Sequence, residues 1–406
     1  MRYDTVIIGG GLSALMCGIE VARAGKRVAL VATGNSSLHF SSCSFGLYNA
    51  PKPLKAIETL PTVHPYAKMG AEQVAAYASR ATEILNIAGI ATVGSAEKNH
   101  YIATPVGGWR ECWLSIEGML TSQTGKDVDF KSATILYPEG FLDFYTQFIL
   151  DGLTEMGIAV KAQAFALPEI VVRRNNPTEM RTVTVARALD KEENIRALAT
   201  IISRESSEGD VVLLPAVLGL NSTDVQSRLA HMANRDVRAI PTLIPSVEGV
   251  KVERALNRAL ESMGGVIFMA HTAVDYTMEQ GEIKSITTSK GVTLTADNFV
   301  LASGSFIGGG LVAQRDCLCE PVFGADVVPN VGNQYTTRNI FEPQPFMGVG
   351  VATDNNFKVL VGGKAVENLY ACGAVLSGYN PVKEGCGAGV AMTTALKVAD
   401  EIINNR

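Results

Sequence analysis

No stretch of this 406-residue chain reaches the roughly 20 consecutive apolar residues that a bilayer-spanning helix needs. The N-terminus also lacks a charged region followed by an apolar core and a cleavage site, so a cytoplasmic protein is expected. Cysteine pairing is missing too. The 7 cysteines, at 17, 43, 112, 317, 319, 372 and 386, form no C-x-x-C, and an odd number suits reduced thiols better than a disulfide framework. Without ligand spacing, zinc and iron–sulfur centres are not expected, and no metal is assigned. Basic excess is absent as well: with 35 Lys and Arg against 40 Asp and Glu, the net charge of -5 leaves no footprint for nucleic acid. Internal repeats and low-complexity tracts are not found.

What the chain does have is glycine and apolar residues. The 39 glycines, several of them clustered, suggest backbone brought close to something bound. An apolar fraction of 47% with 18% charge describes a packed globular protein, and the length exceeds what one core usually organises, so two domains are expected.

Tyr3 to Ile8 reads as a buried parallel strand, and Gly9-Gly10-Gly11-Leu12-Ser13-Ala14 follows at once, matching G-x-G-x-x-A. A helical pattern runs from Ser13 to Ala24, Gly25 supplies a stop, and Arg27 to Val31 forms a second apolar strand. In such a unit Gly9 permits the tight turn, Gly11 lets amides approach a phosphate, and Ala14 keeps the helix close to the sheet. The acidic residue that should end the second strand and hold an adenosine ribose is replaced by Ala32. Either the ribose is held otherwise, or the nucleotide is shorter than a dinucleotide.

The other end of the chain carries a second set of signals. Glu367 to Ala374 reads as a strand running into a turn at Gly373-Ala374, and Gly385-Cys386-Gly387-Ala388-Gly389 opens a helix with Ala391, Ala395, Val398 and Ile402 on one face. A helix N-terminus placed under the pyrimidine end of a flavin would stabilise the negative charge that builds up there on reduction. Phe299 to Ser305 is a third strand, ending in Ser303-Gly304. Together the three segments resemble the large superfamily of flavoproteins with a two-dinucleotide-binding-domain, FAD/NAD(P)-binding fold. The expected class is therefore α/β, a Rossmann-like domain with a parallel sheet plus an inserted α+β cap. Residues 1–50, 130–170, 265–310 and 365–406 are assigned to the flavin domain, and 51–129, 171–264 and 311–364 to the cap, which would contact substrate and partner chains.

Longer strings narrow the resemblance: Leu38 to Ser42, Arg174 to Glu179, Pro241 to Val247, Leu301 to Phe306, Glu342 to Phe346 and Gly385 to Gly387. Spread in order along the chain, they resemble the B subunits of anaerobic glycerol-3-phosphate dehydrogenases. That resemblance implies a flavoprotein carrying FMN, with FAD also open, beside a catalytic, FAD-bearing A subunit, with an iron–sulfur C subunit that attaches the complex to the cytoplasmic membrane. The implied reaction converts glycerol 3-phosphate to dihydroxyacetone phosphate, with electrons passing to quinone. A flavin-free scaffold that docks the catalytic partner is the alternative, given alanine at both 32 and 374.

Candidate cofactor contacts are Gly9, Gly10, Gly11, Leu12, Ser13, Ala14, His39, Ser41, Ser42, Ser303, Gly304, Gly373, Ala374, Gly385, Cys386 and Gly387. Oxidation of a secondary alcohol needs a base, and of the five histidines only His39 falls in a segment expected beside a flavin, as catalytic candidate, flavin contact or structural residue. A phosphorylated substrate calls for guanidinium groups; Arg174 and Arg181 are the candidates, with Arg187 nearby.

Overall fold

Two sets of parallel strands organise the chain. The computed structural model describes residues 1–329 and 334–404. It divides into one unit of 1–37, 45–88 and 255–406 and another of 38–44 and 89–254.

In the first unit, strand Arg2–Ile8 lies between Val28–Ala32 and Thr293–Leu301, parallel to both, and Val266–Met269 extends the sheet beyond Val28–Ala32. The strand Thr293–Leu301 changes partner along its length: its start pairs antiparallel with Glu282–Thr288, and Phe299 to Leu301 pair in parallel with Leu369 to Ala371. Val6, Ile7, Val28 to Ala32 and Phe299 to Leu301 are almost wholly buried, as strands covered on both faces require.

Helix Ala71–Ile87 buries Val74, Tyr77, Ala78, Ala81, Ile84 and Leu85, a spacing that places them on one face. Burying Val74, Ile84 and Leu85 stabilises the fold by about 1.5–3 kcal/mol each. Arg80 on the same helix donates to both oxygens of Asp400 at 2.8 and 2.9 Å and to Glu20 at 2.5 Å, while the Tyr77 hydroxyl donates to Asp400 at 3.0 Å. One guanidinium thus ties together helices Leu12–Arg23, Ala71–Ile87 and Gly387–Asn404.

The second unit has its own sheet of four strands, ordered Ala159–Phe165, Ser132–Pro138, Val211–Pro215, Val237–Ile240, all parallel. Helix Glu192–Glu205 buries Ile195, Leu198, Ala199 and Ile202 in the same core as Ile135, Leu213 and Leu229. Short antiparallel pieces complete the unit, with His100–Ala103 between Trp109–Cys112 and Thr121–Ser122.

These units correct the expected boundaries. Residues 130–170, assigned to the flavin domain, form two strands of the second unit's sheet, because Ser132–Pro138 pairs with Val211–Pro215. An apolar strand looks the same whichever sheet it joins. Residues 51–88 and 311–364, assigned to the cap, belong to the first unit; of these, 330–333 lie outside the described residues. Strand Lys358–Val361 folds back on Lys364–Ala371 through Gly362-Gly363, both at positive φ. The Asp326 carboxylate accepts both glycine amides, at 2.9 and 2.7 Å.

Candidate functional site

Four strands of the first unit end level. The Gly9 N–H donates to Val31 O at 2.9 Å, the Ala302 N–H to Ile8 O at 2.9 Å, and the Cys372 N–H to Leu301 O at 3.1 Å. Three segments that are far apart in sequence, starting at Gly9, Ala302 and Cys372, therefore leave the same edge of the sheet. Gly9 has φ +136, and a Cβ there would run into the Ala302 carbonyl. At Gly10 a Cβ would meet the Ala32 methyl at 2.7 Å, so the fully buried Ala32 packs under the turn.

Gly11 is different: a Cβ there would meet nothing within 4 Å. It is the N-cap of helix Leu12–Arg23, no side chain caps it, and the first turn holds no acidic residue. First-turn amides left without a cap, facing open space at the positive end of a helix, form an anion site. Ser303 adds a second ligand-seeking group. Its Oγ is buried and has no partner in the protein, a costly state for a hydroxyl unless something else satisfies it. Ser13 and Ala14 are buried; Leu12 and Gly304 are partly open.

Gly373 joins this edge to the last helix. At φ +76 it lies against the Ser13 side chain, and a Cβ there would be 3.7 Å from Ala391 Cα. Its N–H donates to Thr394 Oγ1 at 3.0 Å. Burial pushes the neighbouring Cys372 thiol up to about 12, against a hydrogen bond with Ser13, so it stays protonated. Ala374 is exposed. The residues Gly9 to Ala14, Ser303, Gly304, Gly373 and Ala374 are thus brought to one edge.

The glycines of Gly385 to Gly389 serve partly another purpose. The Asn49 N–H donates to Glu384 O at 2.7 Å, and a Cβ on Gly46 would strike the Gly385 carbonyl. One first-turn amide of the last helix, that of Gly389, is taken by Gly46 O at 2.8 Å. These glycines admit chain as well as leaving Gly387 and Ala388 partly open.

Sequence reasoning missed His64 and Glu384. His64 is buried and caps helix Pro65–Met69, its Nδ1 accepting the Tyr66 N–H at 3.0 Å, while Nε2 lies 3.1 Å from Glu384 Oε2. Cys386 Sγ is 3.4 Å from the same oxygen. Burial works to raise the Glu384 pKa, yet His64 first, and then the Asn380 N–H and Cys386, hold it below the ordinary value of 4.5 by hydrogen bonding to the carboxylate. For Cys386, burial first and Glu384 second push the thiol up, so Cys386 stays protonated and is no thiolate nucleophile. Glu384 forms part of the wall of a chamber of about 560 Å³ with Val63, Lys68, Ala352, Ser377 and Tyr379. The only forewarning in the sequence was the position of Glu384 next to Gly385.

In the second unit, His39 occupies the turn Ser37–Phe40, its Nε2 2.8 Å from Glu253 Oε2 and its carbonyl accepting the Ser246 N–H. Ser41 Oγ accepts the Cys43 N–H, and the hydroxyls of Ser42 and Ser44 are 2.9 Å apart. Arg174 pairs with Glu139 and Arg181 with Asp143, each at 2.9 Å. Both guanidinium groups suggested for a phosphate thus already face a carboxylate. No helix among the described residues is long and apolar enough to cross a membrane.

Residues 4–390 match the family model of the FAD binding domain. A protein of Pectobacterium atrosepticum, named as the B subunit of anaerobic glycerol-3-phosphate dehydrogenase, is 39% identical over 415 aligned residues, covering 99% of each chain. A protein of the same name from Yersinia enterocolitica is 38% identical over 419, covering 100% of this chain and 99% of its own. Among solved structures, 3-ketosteroid Δ1-dehydrogenase of Sterolibacterium denitrificans aligns over the full length of both chains with a TM-score of 0.49 at 12% identity, too distant to bear on the chemistry.

Proposed function

The chain belongs to the family of anaerobic glycerol-3-phosphate dehydrogenase B subunits, and from that premise we propose that it holds FMN and works beside an FAD-bearing A subunit, with an iron–sulfur C subunit as the membrane anchor. In this reading it helps carry electrons from glycerol 3-phosphate toward quinone at the inner face of the cytoplasmic membrane. The observation that carries the cofactor is the shared edge: uncapped amides after Gly11 and the unpartnered Ser303 hydroxyl converge with Gly373 at level strand ends. A bound flavin supplies a two-electron acceptor there. The first-turn amides of Leu12–Arg23 would hold its phosphate, and Ser303 would donate to or accept from its polar atoms. The buried methyl of Ala32, in place of a ribose-binding carboxylate, favours the mononucleotide over FAD.

The test is release of the cofactor from the purified chain by heat or acid and its chromatographic identification. FMN is expected. A correctly folded chain that shows no flavin absorbance and takes up neither FMN nor FAD sinks the reading in favour of a flavin-free scaffold, the alternative that the alanines at 32 and 374 support. Stopped-flow mixing with glycerol 3-phosphate then separates two roles: bleaching of the oxidised flavin band places substrate oxidation on this chain, and an unchanged spectrum places it on a partner.

A further inference from the structure

The tautomer of His64 is fixed by its surroundings. Because Nδ1 accepts the Tyr66 N–H, the proton of the neutral ring sits on Nε2, the nitrogen facing Glu384. A protonated Nε2 donates a hydrogen bond and has no lone pair for a metal. His64, Glu384 and Cys386 offer ligand atoms within 4.8 Å of one another, but they make a hydrogen-bonded carboxylate rather than a metal centre. The His64 and Cys386 side chains both address Oε2, so neither of these two occupies Oε1.

The chamber that Glu384 borders has an electrostatic peculiarity. Among the described residues of its wall, Lys68 is the only cation, and its ammonium faces Thr353 O and Thr353 Oγ1, each at 2.8 Å, and Asp354 O at 3.4 Å. An ammonium has three hydrogens, and all three are spent within the protein. Val63, Pro329 and Ala352 give the wall an apolar side. A phosphate ester entering this chamber would face an ionised carboxylate and find no unspent cationic donor, whereas an uncharged hydroxyl would find an acceptor.

We propose that this chamber takes an uncharged, hydroxyl-bearing molecule rather than a phosphate ester, with Glu384 accepting the hydroxyl hydrogen and His64 as its positioning residue. The proposal deepens the flavin reading and rests on it for the purpose of the ligand, since Ser377, Tyr379 and Glu384 lie between the two segments assigned to the cofactor, Cys372 to Ala374 and Gly385 to Gly387. The other titratable groups near Glu384 are Tyr48, Tyr66, Tyr379 and Cys386; burial raises all four, so they stay protonated while Glu384 titrates.

The probe is 1,4-dihydroxynaphthalene, kept reduced under argon, its binding to the whole cofactor-loaded chain followed by saturation-transfer NMR. Binding is expected in the wild type. It is abolished by Val63→Trp, a change at a 61% exposed position that fills the chamber without disturbing the core. Glu384→Gln should weaken it on the order of 10-fold, the difference between a charge-assisted and a neutral hydrogen bond. Asparagine at 64 keeps an acceptor for the Tyr66 N–H but removes the donor to Glu384. In His64→Asn, Glu384 therefore protonates at higher pH, and binding is lost at mildly acidic pH where the wild type still binds; a merely structural His64 would leave the pH profile unmoved. Competition by glycerol 3-phosphate, or unchanged binding in Val63→Trp, overturns the proposal. Flavin absorbance read on the same samples reports separately on the cofactor, so loss of one reading does not masquerade as loss of the other.

Discussion

The parallel sheets of the two units are made of the same material, short apolar strands flanked by helices, and they differ in the residues that come directly after each strand. In the first, strands run out into Gly9, Ser303-Gly304 and Gly373, with an uncapped helix and an unpartnered hydroxyl. In the second, strands Ser132–Pro138 and Val211–Pro215 close on proline, and the next side chain after Pro138, Glu139, is neutralised by Arg174. The second sheet's cavity of about 530 Å³ sits at the opposite, amino ends, beside Ser132 and Val211, where Arg238 is already paired with Asp129 and Asp236. Open α/β sheets take ligands at carboxyl ends. Parallel pairing is therefore not enough for a nucleotide site; the residues just past the strand decide it.

The largest expected effect that tests this contrast is Gly9→Ala. Positive φ and collision with the Ala302 carbonyl should cost on the order of 4 kcal/mol and empty the flavin site, as read by urea denaturation and flavin absorbance. Ser303→Ala sharpens the same side: with no protein partner to lose, stability should hold or rise slightly, while flavin affinity falls about 5–10-fold in a dialysis titration. An unchanged affinity would remove Ser303 from the site. Gly140→Ala is the counterpart in the second unit, where φ of +78 makes alanine cost about 1 kcal/mol with flavin content untouched. Smallest is Arg174→Ala, a half-exposed pair worth less than about 0.5 kcal/mol in a thermal melt. A large rise in KM for glycerol 3-phosphate in that variant would break the comparison, by showing that Arg174 leaves Glu139 to take substrate.

What could be read in advance depends on distance along the chain. The fingerprint Gly9 to Ala14 was legible because its turn, helix start and packing alanine lie within six residues and each has its own steric demand. The strand Ser132–Pro138 carries a mostly apolar run from Ala133 to Leu136, but which sheet it joins depends on partners at Ala159–Phe165 and Val211–Pro215 that no local pattern records. Gly385 reads as a ligand glycine when part of its reason is the chain at Asn49, more than 330 residues earlier, whose Cβ a side chain at 385 would meet at 3.3 Å. His64 and Glu384 are 320 residues apart, so a histidine that looked ordinary acquires its meaning only through the fold.

Strand Arg2–Ile8 has one neighbour close in sequence and another, Thr293–Leu301, about 290 residues later. During translation at roughly 5–20 residues per second, the earliest segment waits on the order of 15–60 s before its second neighbour exists. Through that interval its backbone groups on one side stay unpaired, and the nascent protein depends on chaperones or rapid completion to avoid pairing with another copy of itself.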